Sequence, residues 1–244
     1  MTELLISEIT LMGMGFCVIG LEHNIDRFRS LRPIPRSSYA WSKFQYGRAD
    51  KVAFDLSSMP VTPPHIEDRL AANDKKLGSV TEAELVKCLK QAEVAASIKG
   101  LFGCDVHPSP RGGEAVYLNP QDGKRSICGC EVEDISFSFR FFPPKIRAAL
   151  AMKSGESLES LPVVDTAWVG FATALASRLK DYVNFRSQLQ GFFDSFVREQ
   201  ILSSAIRFAR IGLARPDKDG LCWLMLDSLF PLPEDTWLKE LNRP

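Results

Sequence analysis

The sequence predicts a mostly β chain with helical additions, α+β in class, and three observations carry that expectation. Short apolar segments bounded by Gly, Pro, Asn and Asp recur through residues 3–56, the pattern of strands and tight turns. A second β-patterned region, from about Arg125 to Asp165, alternates apolar and polar residues at period two. Two other stretches, near 80–98 and near 168–204, repeat their apolar residues at the helical period.

Taken in order, Leu4 to Leu11 reads as a strand, Gly13 and Gly15 as a turn, and Phe16 to Leu21 as a second strand. His23 to Asp26 turns the chain into a third strand, Arg27 to Leu31, which Pro33 and Pro35 should end because proline cannot donate to a ladder. Lys51 to Leu56 makes a fourth strand, and this spacing fits a small barrel or sandwich. After Pro60, Pro63 and Pro64, the series Leu85, Cys88, Leu89, Ala92, Val94, Ala95, Ile98 predicts one helix over 80–98. Ser79 and Glu82 would form its capping box, and Gly100 would end it. The Gly- and Pro-rich loop from Gly103 to Gly123 marks a boundary or a binding loop.

In the second β region, Ile135, Phe137, Phe139 and Phe141 share one face of a strand, and Ala148–Met152 and Leu161–Val164 could add two more. The helical stretch 168–204 is long enough that Gly191 should break it into two helices. Ile206–Leu213 and Cys222–Leu229 read as a final hairpin joined across Asp217 to Gly220. The organisation is therefore residues 1–100, a β-unit plus helix, and 101–244, a β-unit with the helices of 168–204, forming one compact body. Arg32-Pro33 and Arg215-Pro216 each end an apolar strand, a hint of a duplicated plan.

Composition narrows the function classes. Of 244 residues 45% are hydrophobic and 25% charged, the make-up of a folded domain rather than a disordered one. Thirty basic residues cancel thirty acidic ones, so attraction for a polyanion has to come from local asymmetry. Glu3 and Glu8 stand where a secretory leader would carry positive charge. The longest apolar run, Leu11 to Leu21, is short of the roughly 20 residues that span a bilayer, so a cytoplasmic location is expected. In that compartment the six cysteines are expected to be free, buried thiols.

Several short motifs resemble, in order and spacing, the bacterial dual OB-fold domain. They are Leu4-Leu5-Ile6-Ser7-Glu8-Ile9-Thr10, Leu31-Arg32-Pro33-Ile34-Pro35, Pro64-His65-Ile66-Glu67-Asp68, Leu101-Phe102-Gly103 and Arg125-Ser126. Val164-Asp165 before Trp168, and Gly212-Leu213-Ala214-Arg215-Pro216 followed by Cys222-Trp223-Leu224, complete the set. The resemblance implies two OB-like barrels and nucleic-acid binding in bacterial conflict or antiviral defence, with no catalytic residues to carry over. The stretch 168–204 departs from it and looks like an insertion that could serve a protein partner.

The candidate site residues follow from charge. Between Asp26 and Lys51, seven basic residues (Arg27, Arg29, Arg32, Arg36, Lys43, Arg48, Lys51) face two acids, with Tyr39, Trp41, Phe44 and Tyr46 interleaved. Cations follow phosphates while rings stack on bases, so the mixture suits single-stranded nucleic acid; a solvated strand edge with aromatics capping a barrel is the alternative. Within this group Arg32 belongs to the strand-ending motif and reads as structural, paired to a carboxylate. A second basic stretch holds Arg207, Arg210 and Arg215, and an ordinary charged helix face is its alternative. Phe185, Phe192 and Phe196 share a helical face that packs on the second β-unit or docks a partner or second copy. Pro64-His65-Ile66-Glu67-Asp68 offers metal-ligand or acid–base chemistry but also reads as a turn. Cys104, His107, Cys128 and Cys130 supply four zinc-type ligands at a spacing poor for a tetrahedral site. Nucleophile, phosphate-loop and dinucleotide motifs are missing from the sequence. The expectation is a non-enzymatic nucleic-acid-binding protein without a cofactor; the alternative is a scaffold subunit docking a partner through its helices.

Overall fold

The computed structural model describes residues 1–13, 15–36, 38, 40–141, 144–179 and 184–237. Strands β1 (Thr2–Met12), β2 (Gly15–Asn24) and β3 (Arg27–Pro35) form an antiparallel meander, and β4 (Asp50–Ser57) returns beside β1. Strand β5 (Asp68–Ser79) runs antiparallel to β4 and parallel to β3, closing a barrel in the order β1-β2-β3-β5-β4. Its sequence gives little sign of a strand, because Asn73, Asp74, Lys75 and Lys76 are exposed and break the apolar alternation. It is a strand because both neighbouring edges need a partner.

The expected end of β3 at Pro33 is corrected, since the strand continues through Pro35. The Arg32 amide donates to the Glu67 carbonyl (3.0 Å), so the nitrogens of Pro33 and Pro35 alternate to the other edge, which β2 leaves after Leu31. Proline costs no ladder bond there.

The first helix is also shorter than its period implied. α1 spans Glu82–Leu89, capped by Thr81 with Glu84 rather than by Ser79 with Glu82, and Ser79 lies in β5 with its hydroxyl on Asp50. Beyond Leu89 the apolar residues continue as an extended strap. Ala95 N donates to Gly129 O and Gly129 N to Glu93 O, and these bonds outcompete further helix. A short helix α2 (Ile98–Phe102) ends on left-handed Gly103.

The second half is a curled seven-stranded sheet of β6 (His107–Pro108), β7 (Val116–Leu118), β8 (Ile127–Phe141), β9 (Pro144–Met152), β10 (Ser157–Pro162), β11 (Phe208–Leu213) and β12 (Cys222–Phe230). Its order, β10-β9-β8-β11-β12-β7-β6, begins with the neighbour relations that β3, β2, β1, β4 and β5 have in the barrel. A parallel bridge between Val163 and Leu226, with Val164 N on Leu226 O at 3.1 Å, brings the end of β10 to β12 as β3 meets β5. Ile135 and Phe137 are buried and Phe139 packs against the same core, while the side chain of Phe141 lies outside the described residues.

Between β10 and β11 come α3 (Thr166–Leu179), α4 (Phe185–Gly191), a π-helical turn (Phe192–Val197) and α5 (Arg198–Ser203). Asp165 caps α3 by accepting from Ala167 N and Trp168 N. Gly191 does not break the helix: its φ of −60° continues it into the π turn, which buries Phe193 and Val197. Tyr182 and Val183, expected in this apolar series, lie outside the described residues. No described helix is long and apolar enough to cross a membrane. One core fills the barrel and a larger one lies between sheet and helices. A third, with Leu5 and Leu21 of the barrel, Leu85 and Leu89 of α1, and Phe208 and Phe230 of the sheet, joins the halves.

Candidate nucleic-acid interface

The arginines singled out by charge divide into two populations. Arg32, Arg48 and Arg210 have buried side chains, and their assignment as nucleic-acid contacts is corrected; Arg215 is half-buried and held in an ion pair. Arg32 on β3 donates to Ser126 Oγ (2.6 Å) and to His65 Nδ1 (3.2 Å), and lies 3.5 Å from Asp68. Arg215, after β11, pairs with the other oxygen of Asp68. The two Arg-Pro motifs therefore converge on one buried carboxylate. Arg48 bonds Asp165 and Ser228 from the loop after β3, while Arg210 on β11 bonds Glu8 (2.8 Å) and Ser30 in the barrel. Each half thus sends two arginines into the other. Arg210 and Glu8 are fully buried, and an ion removed from water to that degree is tolerated only when such partners replace hydration.

Asp227 belongs to the same interior. Burial, with Glu8 nearby, pushes its carboxyl up to about 7, and one of its oxygens has no hydrogen-bond partner among the described residues. Gly212 makes room for it: a Cβ there would lie 1.9 Å from an Asp227 oxygen. His65 is neutral, its pKa lowered to about 2 by burial and then by Arg32 and Arg215. Burial raises the Glu67 carboxyl, which accepts from Ser126 N and Oγ, both at 2.8 Å. His65, Glu67 and Asp68, considered above as a metal or acid–base cluster, are at most 7% exposed.

The second population faces water. Arg27 and Arg29 are exposed on β3, and Arg29 is paired with Glu22 across the hairpin. They line a groove of about 460 Å³ with Phe28, Arg69, Lys124 and Arg125. Sequence reasoning missed the last three cations, which flank the Pro64–Asp68 and Arg125-Ser126 motifs and come together only in space. Buried contacts aim them. Ser126 is tied down by Glu67, which places the half-buried Arg125 at the groove, and Lys124 N donates to Phe102 O at the end of α2. Arg69 donates to the carbonyls of Ile66 (3.0 Å) and Asp68 (2.6 Å), which fixes the guanidinium without cancelling its charge. Arg27 and Lys124 have no carboxylate partner among the described residues. The two acids of the groove are engaged internally, Glu67 by Ser126 and Glu93 by the amide and hydroxyl of Ser30.

The remaining expected contacts lie elsewhere. Arg36 and Lys43 are exposed in the loop after β3, Arg207 is half-buried before β11, and Tyr39 lies outside the described residues. Trp41 donates from Nε1 to Pro33 O (2.8 Å) and packs with Phe44 and Tyr46 over the barrel core, which is the capping arrangement. Phe185, Phe192 and Phe196 are half-buried against the second core, with Phe192 and Phe196 stacked at 4.9 Å. Cys104, His107, Cys128 and Cys130 do not form a zinc site: among the described residues no group of three or more His, Cys, Asp or Glu is placed to hold a metal ion. Instead His107 packs on Tyr117, and the buried Cys128 thiol donates to Glu93 O.

No protein-family model matches the chain, and no curated protein or solved structure matches it.

Proposed function

We propose that the protein binds nucleic acid without chemistry of its own, holding a strand in the groove between β3 and the segment entering β8. One observation carries the reading. Five cations from both halves (Arg27, Arg29, Arg69, Lys124, Arg125) converge on one groove that holds two acids, Glu67 and Glu93, and Arg29 is also paired with Glu22, so cations remain in excess. That local excess is what a chain with no net charge needs to attract a polyanion. The architecture supports it. The repeated neighbour order and the Val163–Leu226 bridge favour two OB-like barrels, and OB folds bind oligonucleotides on the second and third strands and the connection between the fourth and fifth. The groove uses β3 and residues 66–69 at the end of that connection. A role in bacterial defence follows from the sequence resemblance alone.

Fluorescence anisotropy with labelled single-stranded DNA, single-stranded RNA and duplex DNA tests the reading. Binding is expected at low salt and should weaken steeply as salt rises. Absence of binding to all three at low salt would overturn it.

A further inference from the structure

We propose that Ile25, at the tip of the β2–β3 hairpin, is an apolar wedge that enters between bases of a strand lying in the basic groove. The proposal rests on the nucleic-acid reading above. Asn24 pairs with Arg27, which leaves Ile25 and Asp26 as a two-residue turn. Ile25 has φ of 50°, and Asp26 is not among the positive-φ residues, the pattern of a turn whose first central position ordinarily takes glycine. A β-branched side chain is strained in that region.

Ile25 is also 86% exposed. Burial therefore does not offset the strain, and a glycine, asparagine or aspartate would make the same turn at lower cost. Neither packing nor turn geometry accounts for isoleucine here, and contact with a ligand does.

Its position selects the ligand. Phe28 lines both the basic groove and a neighbouring cleft of about 680 Å³ whose walls include Leu21, His23, Lys51 and Lys87. Residues 22 and 23 border the cleft and residues 27 to 29 the groove, and Ile25 stands at the hairpin tip two residues from the groove-lining Arg27. A strand whose phosphates follow Arg29 and then Arg27 runs toward that tip. An exposed aliphatic side chain standing beside a line of phosphate-binding cations is placed to pry adjacent stacked bases apart, as apolar wedges do in other nucleic-acid complexes.

The test uses the full chain with Ile25→Gly and Ile25→Asn, two residues that suit the turn. Both variants should melt at or above the wild-type temperature. Each should bind a single-stranded oligonucleotide roughly tenfold more weakly, the scale of one lost base contact. An oligonucleotide carrying 2-aminopurine should brighten on binding wild type, because the base is unstacked, and brighten much less with either variant. Inorganic polyphosphate, which has charge and no bases, should bind all three proteins equally. Unchanged oligonucleotide affinity and 2-aminopurine emission in both variants would overturn the wedge while leaving the groove intact. Equal losses for oligonucleotide and polyphosphate would also overturn it, because the hairpin would then act only by placing cations. If wild type binds no oligonucleotide, the groove reading fails and the wedge with it.

Discussion

Replacing Arg210 separates a buried strut from a phosphate contact. Its side chain is fully buried and makes three kinds of bond: to Glu8 Oε1 at 2.8 Å, to the Glu93 carbonyl at 3.3 Å, and to the Ser30 hydroxyl. Arg210→Met preserves much of the volume but leaves Glu8, also fully buried, with the Ser7 hydroxyl (2.6 Å) as its side-chain partner among the described residues. Removing one partner of a buried ion pair costs about 3–5 kcal/mol, a large share of the roughly 5–15 kcal/mol that holds a domain together. For a chain of this size that lowers the melting temperature by roughly 6–20 °C. Urea unfolding followed by circular dichroism measures the loss directly as a shift in midpoint. The double variant Arg210→Met with Glu8→Met should recover most of it, because two apolar groups need no compensation. An unchanged urea midpoint in Arg210→Met, together with weakened oligonucleotide binding, would refute the strut and return Arg210 to the surface.

Other outcomes follow from the same geometry. Arg27→Ala, Arg69→Ala and Lys124→Ala should each leave the melting temperature nearly unchanged and weaken binding, each lowering the slope of log affinity against log salt by about 0.7–0.9. Gly212→Ala places a methyl on the Asp227 carboxylate and should destabilise the chain by roughly 1–3 kcal/mol, measurable by thermal melts. Stability against pH tests two of the buried titrating groups, Asp227 and His65. The folded chain keeps a proton on Asp227 from about pH 4 to about 7 that the unfolded chain releases, so this group makes stability fall as pH rises through that window. His65 acts oppositely: below about pH 6.5 the unfolded chain takes a proton that the folded chain refuses down to about 2, so stability falls as pH drops. The two slopes oppose each other over about pH 4–6.5. Asp227→Asn should therefore leave a stability that climbs with pH across that range, whereas wild type is flatter, as urea midpoints at stepped pH will register.

Local patterning along the chain marks which segments could pack. The period-two runs of β1, β2 and β8 and the helical runs of α1 and α3 follow from local patterns, since burial on one face leaves its mark every second or every third to fourth residue. It also marked Arg32-Pro33 and Arg215-Pro216 as related strand endings, and read Arg32 as the partner of a carboxylate. That carboxylate is Asp68, shared with Arg215.

Tertiary structure alone decided the rest. β5 became a strand because the barrel had an edge to close, despite its exposed charges. The run after Leu89 left the helix because Gly129 offered Glu93 and Ala95 backbone bonds from another element. Charge is the sharpest case. Strand alternation already separates Arg32 from Arg27 and Arg29, but only packing buries Arg32 against Asp68 and leaves Arg27 and Arg29 at the groove. Arg69, Lys124 and Arg125 join them from 40 to 98 residues away. No local pattern records that meeting, because it exists only once the two halves have packed.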